Sequence, residues 1–441
     1  MKQGRETVTQ KRIGQKIAAR EIYNNIFAPA LLGFVEWVLQ EAKQRGIKRL
    51  YFLARDGYQM YLAADFLCKK RDLAIDCRYL YGSRYAWRLP QFALQGEACL
   101  EKLCLGGIDV TFEKVMKRGG LTEEEALAVA KELGFIQDYK RILSYNEVQQ
   151  LKKPLEESKI FLPFVYEHSK AAYETTIGYL CQEGLFDEVS YAMVDSGWSG
   201  SLQQTLTQLL AYAGCEKQLE GFYFGLYELP VGINEESYHT YYFGPNYGLK
   251  RKVYFSNCLY EAVYSAPHGM TVGYEACVRK TAEKNMVYCP VFFNAYNLNQ
   301  ACMEQEVEWL RTYLEEYVAK CDINRKIQGA SHTYRLFKSF MGNPTEEEAK
   351  IYGSLLFSDD VTEEQVQCVA ANLSKEEIKN QQLWNKFLIM LGIKKQVLKE
   401  SAWIEGSVAL ASVSRQWQLF HVRGYKYLVY FRKWLKRGMR R

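Results

Sequence analysis

Two short stretches carry residue types and spacings suited to anions and hydroxyls: Ala54-Arg55-Asp56-Gly57-Tyr58 and Asp195-Ser196-Gly197-Trp198-Ser199-Gly200-Ser201. In each, an apolar run halts at charged or small residues, and an apolar-periodic segment follows. Arg55 can fork onto phosphate or carboxylate oxygens. Asp56 can act as base, metal ligand or orienter of Arg55, while Gly57 lets the chain turn into the next segment. Asp195 can coordinate a metal or bond a sugar hydroxyl. Gly197 and Gly200 let the backbone approach a ligand and present N–H groups to it. Ser199 and Ser201 add hydroxyls at a helix start, where free N–H groups and the dipole favour anions. Ser196, Trp198 and Gln203 are further candidate contacts of this loop. Ser83 and Arg84 end another apolar run and bring a second guanidinium to the same edge. The purely structural alternatives are a serine-capped turn and an exposed Arg–Asp pair, which is worth little in stability.

A third cluster is "NCLYEAVYSAPHGMTVGYE", residues 257–275. Glu261 lies in an apolar-periodic helix, and Ser265, Pro267, His268 and Gly269 form the turn after it. Glu261 and His268 are candidates for proton transfer near neutral pH; a solvated glutamate and a capping histidine are the plain alternatives. Asp56 and Asp195 are the candidate ligands of a divalent ion such as Mg2+, which the sequence permits without requiring. His168, His239, His332 and His421 form no ligand spacing, and no zinc site is expected.

Such loops need a parallel sheet to bring them to one edge. Residues 13–45 have helical periodicity with a stop at Gly46, "IKRLYFLA" is a short buried strand, and "GYQMYLAADFLCKKR" is the next helix. "IDCRYLYGSR" is a second strand. After a charged helical segment at 96–186, the pattern resumes with a strand at 188–194, a small-residue turn and a helix to Gly214. "LEGFYFGLYE" and the edge candidate "YHTYYFGP" follow. Helices are expected at 303–320, 344–357, 363–373 and 375–392. The fold class is therefore α/β, a Rossmann-like mostly parallel sheet with a helical insertion and a mostly helical C-terminal region. The chain divides into core at 1–95, insertion or cap at 96–186, core at 187–275, a helical region at 276–405 and a basic aromatic tail at 406–441.

The formal charge of +6 is uneven, because no acid follows Glu405 while nine basic residues do. Without those nine, 48 basic residues face 51 acidic ones, and a nucleic-acid-binding body is not expected. The 33 tyrosines suit ring stacking on a ligand or, more commonly, core filling. The twelve cysteines are scattered singly, as in a reducing cytosol. The polar N-terminus lacks the apolar run of a signal peptide, and no uncharged apolar run reaches the roughly 18 residues that span a bilayer. A cytoplasmic location is expected. The tail "GYKYLVYFRKWLKRGMRR", 424–441, mixes aromatic and cationic residues, with Tyr427, Tyr430, Phe431, Trp434 and Leu435 largely on one side of a helix. That pattern suits either a packed terminal helix or peripheral contact with the anionic inner face of a membrane.

The pieces "LLGFVEWVL", "YFLARDGY", "YLYGSRYAW", "VDSGWSGSLQQTL" and "LYEAVYSAPHGMTVGYE" resemble the C-terminal α/β domain of predicted HAD-superfamily hydrolases. Those proteins are encoded among genes for bacterial capsule and other surface polysaccharides. The resemblance implies an enzyme acting on a phosphorylated or nucleotide-activated sugar, with other polysaccharide-assembly enzymes as possible partners. Longer relatives carry a separate phosphatase domain with an Asp-x-Asp nucleophile; here the first aspartate of such a motif would fall at Ala54. A HAD-like phosphatase is therefore the second alternative, after a non-catalytic module that recognises glycans or docks a glycosyltransferase. "MVDSGWSGSLQQTL" is also similar in logic to the phosphate-cradling loop of phosphoribosyltransferases, with one acid instead of two.

Overall fold

The computed structural model describes residues 13–106, 109–278, 286–320, 328–358, 366–390, 393, 399–411 and 413–438. Helix α1 (Ile13–Arg45) is long and apolar enough to cross a membrane, yet 67% of its apolar window is buried inside the protein. It is the central helix of the larger core, and Gly46 ends it in a left-handed cap. Strand β1 (Arg49–Leu53), helix α2 (Gly57–Lys70), strand β2 (Asp76–Leu80) and the short helix α3 (Arg84–Arg88) follow. The insertion contains α4 (Phe112–Arg118) and the long α5 (Phe161–Gln182), packed on a core of their own that includes Phe112, Val115 and Val165. Then come β3 (Tyr191–Trp198), α6 (Ser201–Tyr212), β4 (Glu220–Leu226), β5 (Tyr238–Phe243) and α7 (Asn257–Tyr264).

The five strands form one all-parallel sheet in the order β2-β1-β3-β4-β5. Side chains alternate across it: Leu50 and Phe52 of β1 enter the core around α1, while Tyr51 and Leu53 enter the core on the opposite face. Burial on both faces explains why β1 reads as a continuous apolar run rather than an alternating one. The tyrosines are chiefly core: Tyr23, Tyr51, Tyr179, Tyr223, Tyr242, Tyr260 and Tyr264 are fully buried. Tyr23 Oη donates to Gln59 at 2.6 Å, and Gln59 Nε2 donates to the Val263 carbonyl at 2.8 Å. This buried relay fixes α7 against α1 and α2.

Several elements differ from their sequence expectations. Strand β3 does not stop at 194 but runs to Trp198, because Asp195, Gly197 and Trp198 pair with Tyr223, Gly225 and Leu226 of β4. The region after 275 opens with an antiparallel hairpin, β6 (Thr271–Val278) and β7 (Met286–Phe292), before helices α8 (Gln300–Lys320), α9 (Ala330–Phe340), α10 (Leu383–Met390) and α11 (Arg415–Gly438). The helix expected at 344–357 is only Glu346–Tyr352, started by a capping box at Thr345. Of the helix expected at 363–373, residues 366–373 are not helical, and Gln367–Cys368 pairs with Leu356–Phe357 instead; residues 363–365 lie outside the described residues. The one expected at 375–392 is two helices, Lys375–Asn380 and α10, with 391–392 outside the described residues.

Candidate functional site

Chain order reverses between β1 and β3, and ligands of open α/β sheets bind outside the carboxyl ends of the strands at such a point. There the structure has a cleft of about 490 Å³, and both chemistry-bearing stretches reach it. Arg55 and Asp56 come from the end of β1, Ser83 and Arg84 from the turn after β2, and Asp195 to Ser199 from β3 and its exit. Ser201 begins α6, and Glu261 enters from α7. The Ala54–Arg55 peptide that leads into the site is cis.

Three carboxylates form its floor. Asp195 is only 7% exposed, and burial together with the nearby Asp56 carboxylate pushes its pKa up to about 7, against the opposing N–H groups of Ser196 and Gly197. Asp56 is raised by burial, while the Ser196 hydroxyl, which donates to its Oδ2 at 2.6 Å, and the Arg55 and Arg84 charges pull the other way. Glu261 is raised by burial and by Asp56, and its Oε1 accepts from Trp198 Nε1 at 2.5 Å. Carboxyl groups that repel one another in a largely buried site hold their protons to higher pH than free ones, as general acids and bases require. Among the described residues, no group of three or more His, Cys, Asp or Glu side chains is arranged to hold a metal ion. Asp56 and Asp195 could contribute to a Mg2+ site only with further oxygens from a ligand, which is how Mg2+ usually meets phosphate substrates.

The exit of β3 explains its small residues. Gly197 has φ 108°, and an added Cβ would meet the Gly225 carbonyl oxygen at 2.5 Å. Trp198 is itself left-handed at φ 68°, a strained conformation for a bulky residue. Its carbonyl accepts from Tyr227 N at 2.8 Å, and its indole is tied to Glu261. Gly200 caps α6 in the left-handed conformation, and Ser199 Oγ donates to Ser201 Oγ at 3.2 Å.

Five expected site residues lie elsewhere or are already engaged, among them Gly200, which is outside the cleft lining and close to the Tyr238 ring. Gln203 is buried under the sheet edge: its amide donates to the Leu219 carbonyl at 2.6 Å and its Oε1 accepts from Tyr223 at 2.7 Å. His268 sits outside the cleft lining, with Nε2 2.8 Å from Tyr79 Oη and Nδ1 2.7 Å from the Gly269 carbonyl oxygen, and burial lowers its pKa. Gly57 opens α2, packed against Phe52. Ser83 lines the cleft, but its hydroxyl caps α3 and donates to the Thr271 carbonyl at 2.7 Å.

The cleft's other wall was not legible as a site in the sequence. Arg88 comes from α3, Lys102 from the start of the insertion, and Lys114, Lys117 and Arg118 from one face of α4. Their spacing at i, i+3 and i+4 marks a basic helix face. No protein-family model matches the chain, and no curated protein matches it. The chemistry must be read from the cleft itself. It sets proton-holding carboxyls on the sheet side against cations on the insertion side, an arrangement able to bind a phosphorylated ligand and move a proton at one of its hydroxyls.

Proposed function

We propose that the protein is an enzyme of bacterial surface-polysaccharide biosynthesis that binds a phosphorylated or nucleotide-activated sugar and transfers its glycosyl group. The observation that carries this reading is the Asp56, Asp195 and Glu261 floor beneath a wall of cations. Arg55 and Arg84 hold phosphate, and Asp56 and Asp195 orient sugar hydroxyls. Glu261, raised to about 8, acts in its ionised form, which grows as pH rises through that value, and takes the proton of the acceptor hydroxyl as its oxygen bonds to the anomeric carbon. The bond from that carbon to the phosphate oxygen breaks, and the phosphate leaves with the electron pair against the guanidinium groups. Transfer is favoured over a HAD phosphatase reaction because Ala54 stands where the nucleophile would be. His268 takes no part, since both its nitrogens are engaged. The resemblance of the strand-end motifs to HAD-associated capsule proteins supports the same assignment, with the enzyme on the cytoplasmic side.

Thermal-shift screening of sugar phosphates and nucleotide sugars, with and without Mg2+, tests the reading. A ligand at a hundred times its Kd should stabilise the fold by about 2.7 kcal/mol. Arg84→Ala, an exposed position, should remove most of that stabilisation, read as the ligand-induced shift from each protein's own melting temperature. If no such compound stabilises the protein, and a glycosyltransferase binds it tightly instead, the docking-module alternative replaces this one.

A further inference from the structure

We infer that the insertion supplies a second phosphate subsite, so that the cleft takes a diphosphate rather than a monophosphate. The inference rests on the phosphate reading above. Arg55 and Arg84 at the strand ends suffice for one phosphate, yet Arg88 beside Arg84 on α3 and four cations of the insertion also line the cleft. All three carboxylates of the lining belong to the sheet side, which leaves the insertion's wall uniformly basic. Arg88 Nε is buried without a hydrogen-bond partner. Burial and the charges of Arg84 and Arg118 pull the Arg88 pKa down to about 10, and burial with Arg88 lowers Lys102. Cations that depress one another in a partly dry cleft are destabilising until an anion joins them. Some of this wall is held in place by its own contacts: Lys117 pairs with Glu113 at 3.0 Å, and Arg118 donates to the Leu103 and Leu105 carbonyls at 2.9 and 2.5 Å. These contacts anchor Lys117 and Arg118 within the wall, while the carboxylates that line the cleft come from the sheet side.

The diphosphate could belong to a nucleotide or to a lipid carrier, and titration calorimetry separates the cases. Inorganic pyrophosphate should bind the full chain at least about thirtyfold tighter than inorganic phosphate, the scale of one or two added charge-assisted contacts. A Lys114→Gln/Lys117→Gln double variant should lose about tenfold for pyrophosphate and under about threefold for phosphate. UDP and geranyl diphosphate are the two source probes; either one binding as tightly as pyrophosphate supports the subsite and names the carrier. Pyrophosphate binding no tighter than phosphate, or equal losses for both anions in a variant with an unchanged melt, overturns it and leaves the phosphate reading standing. Absence of binding by either anion sinks both.

A separate observation concerns α11. The geometry points to an anionic phospholipid surface as the occupant of its outer face. Trp417, Phe420, Leu428, Phe431, Trp434 and Leu435 are each 40 to 63% exposed and fall on one side of the helix. The opposite side is docked: Leu419 and Val422 are buried, Lys426 Nζ bonds Glu405 at 2.6 Å, and Arg423 donates to the Gly342 carbonyl at 2.9 Å. Tyr430, expected among the outward aromatics, turns in and stacks on Tyr227 with ring centroids 5.4 Å apart. The exposed side is therefore aromatic by design of the helix register and not by fraying. Charge favours an anionic occupant over a second copy: although Lys426 and Lys433 pair with Glu405 and Glu228 of the body, no acid follows Glu405, so two copies would oppose basic segments. Arg440 and Arg441 lie outside the described residues.

Cosedimentation should show the full chain on vesicles with about one-third phosphatidylglycerol and at least about tenfold less on phosphatidylcholine alone, with loss at high salt. Phe431→Ser/Trp434→Ser should release it with an unchanged melt. Equal binding to neutral vesicles, no binding to anionic ones, or a dimer in light scattering that the same double variant dissolves would overturn the assignment.

Discussion

Asp195→Asn should make the free protein more stable at pH 8 than the parent while weakening the proposed activity. The folded pKa of Asp195 is raised to about 7 from 3.8. A carboxyl with a raised pKa contributes stability that is complete below the unfolded pKa, near pH 4, and is lost as pH rises through 7. Above that pH the parent must hold a buried carboxylate beside Asp56, with Arg84 and two backbone N–H groups only partly compensating. Asparagine is neutral throughout, so the variant should gain up to about 4 kcal/mol at pH 8 and almost nothing at pH 4. Urea midpoints measured across that range decide the matter. A flat difference between the two proteins would mean that Asp195 is ionised and compensated in the free state. On the proposed glycosyl-transfer reading, the variant's rate should fall by on the order of 100-fold, the scale lost when a positioning group is displaced. A stabilised but less active protein is the signature of a site built against the stability of the free fold.

The contrast between legible and illegible parts of this site follows from topology. A parallel sheet delivers all its strand ends to one edge, so Asp56, Arg84 and Asp195 could be placed together from strand periodicity alone. Glu261 was legible as a candidate because it is an acid on an otherwise apolar helix. The Lys102, Lys114 and Arg118 wall was not, because nothing in the insertion's own periodicity specifies where it docks on the sheet. Gln203 failed for a local reason: two residues past Ser201 on a helix is about 200° around the axis, toward the sheet. His268 failed because the hairpin that follows it, unrecognised in sequence, packs Phe292 against its ring and closes it off.

Trp87→Ala should be the most damaging single change away from the carboxylates. Trp87 is fully buried on the sheet face that meets the insertion, and its Nε1 donates to Tyr274 Oη at 2.9 Å. Tyr274 Oη in turn donates to the Tyr81 carbonyl at 2.7 Å, and its ring stacks on Tyr179 at 4.2 Å between centroids. Tyr179 Oη accepts from Tyr81 N at 3.0 Å, so the end of β2 is held from two sides by α5 and β6. The indole also lies so close over Gly82 that a Cβ there would meet it at 2.2 Å. Removing it empties the space beneath α3, the helix that carries both Arg84 and Arg88 into the cleft. Truncation of a buried tryptophan costs about 3–5 kcal/mol, and the upper half is expected, because two rings and a strand end lose a shared neighbour. Trp87→Phe keeps most of the volume and should cost about 1–2 kcal/mol. Because the lost packing lies under the guanidinium groups and not in the cleft, anion affinity should fall even where the alanine variant is still folded. An alanine variant within about 1 kcal/mol of the parent, with anion affinity intact, would mean that α3 is positioned by the insertion and not by this aromatic cluster.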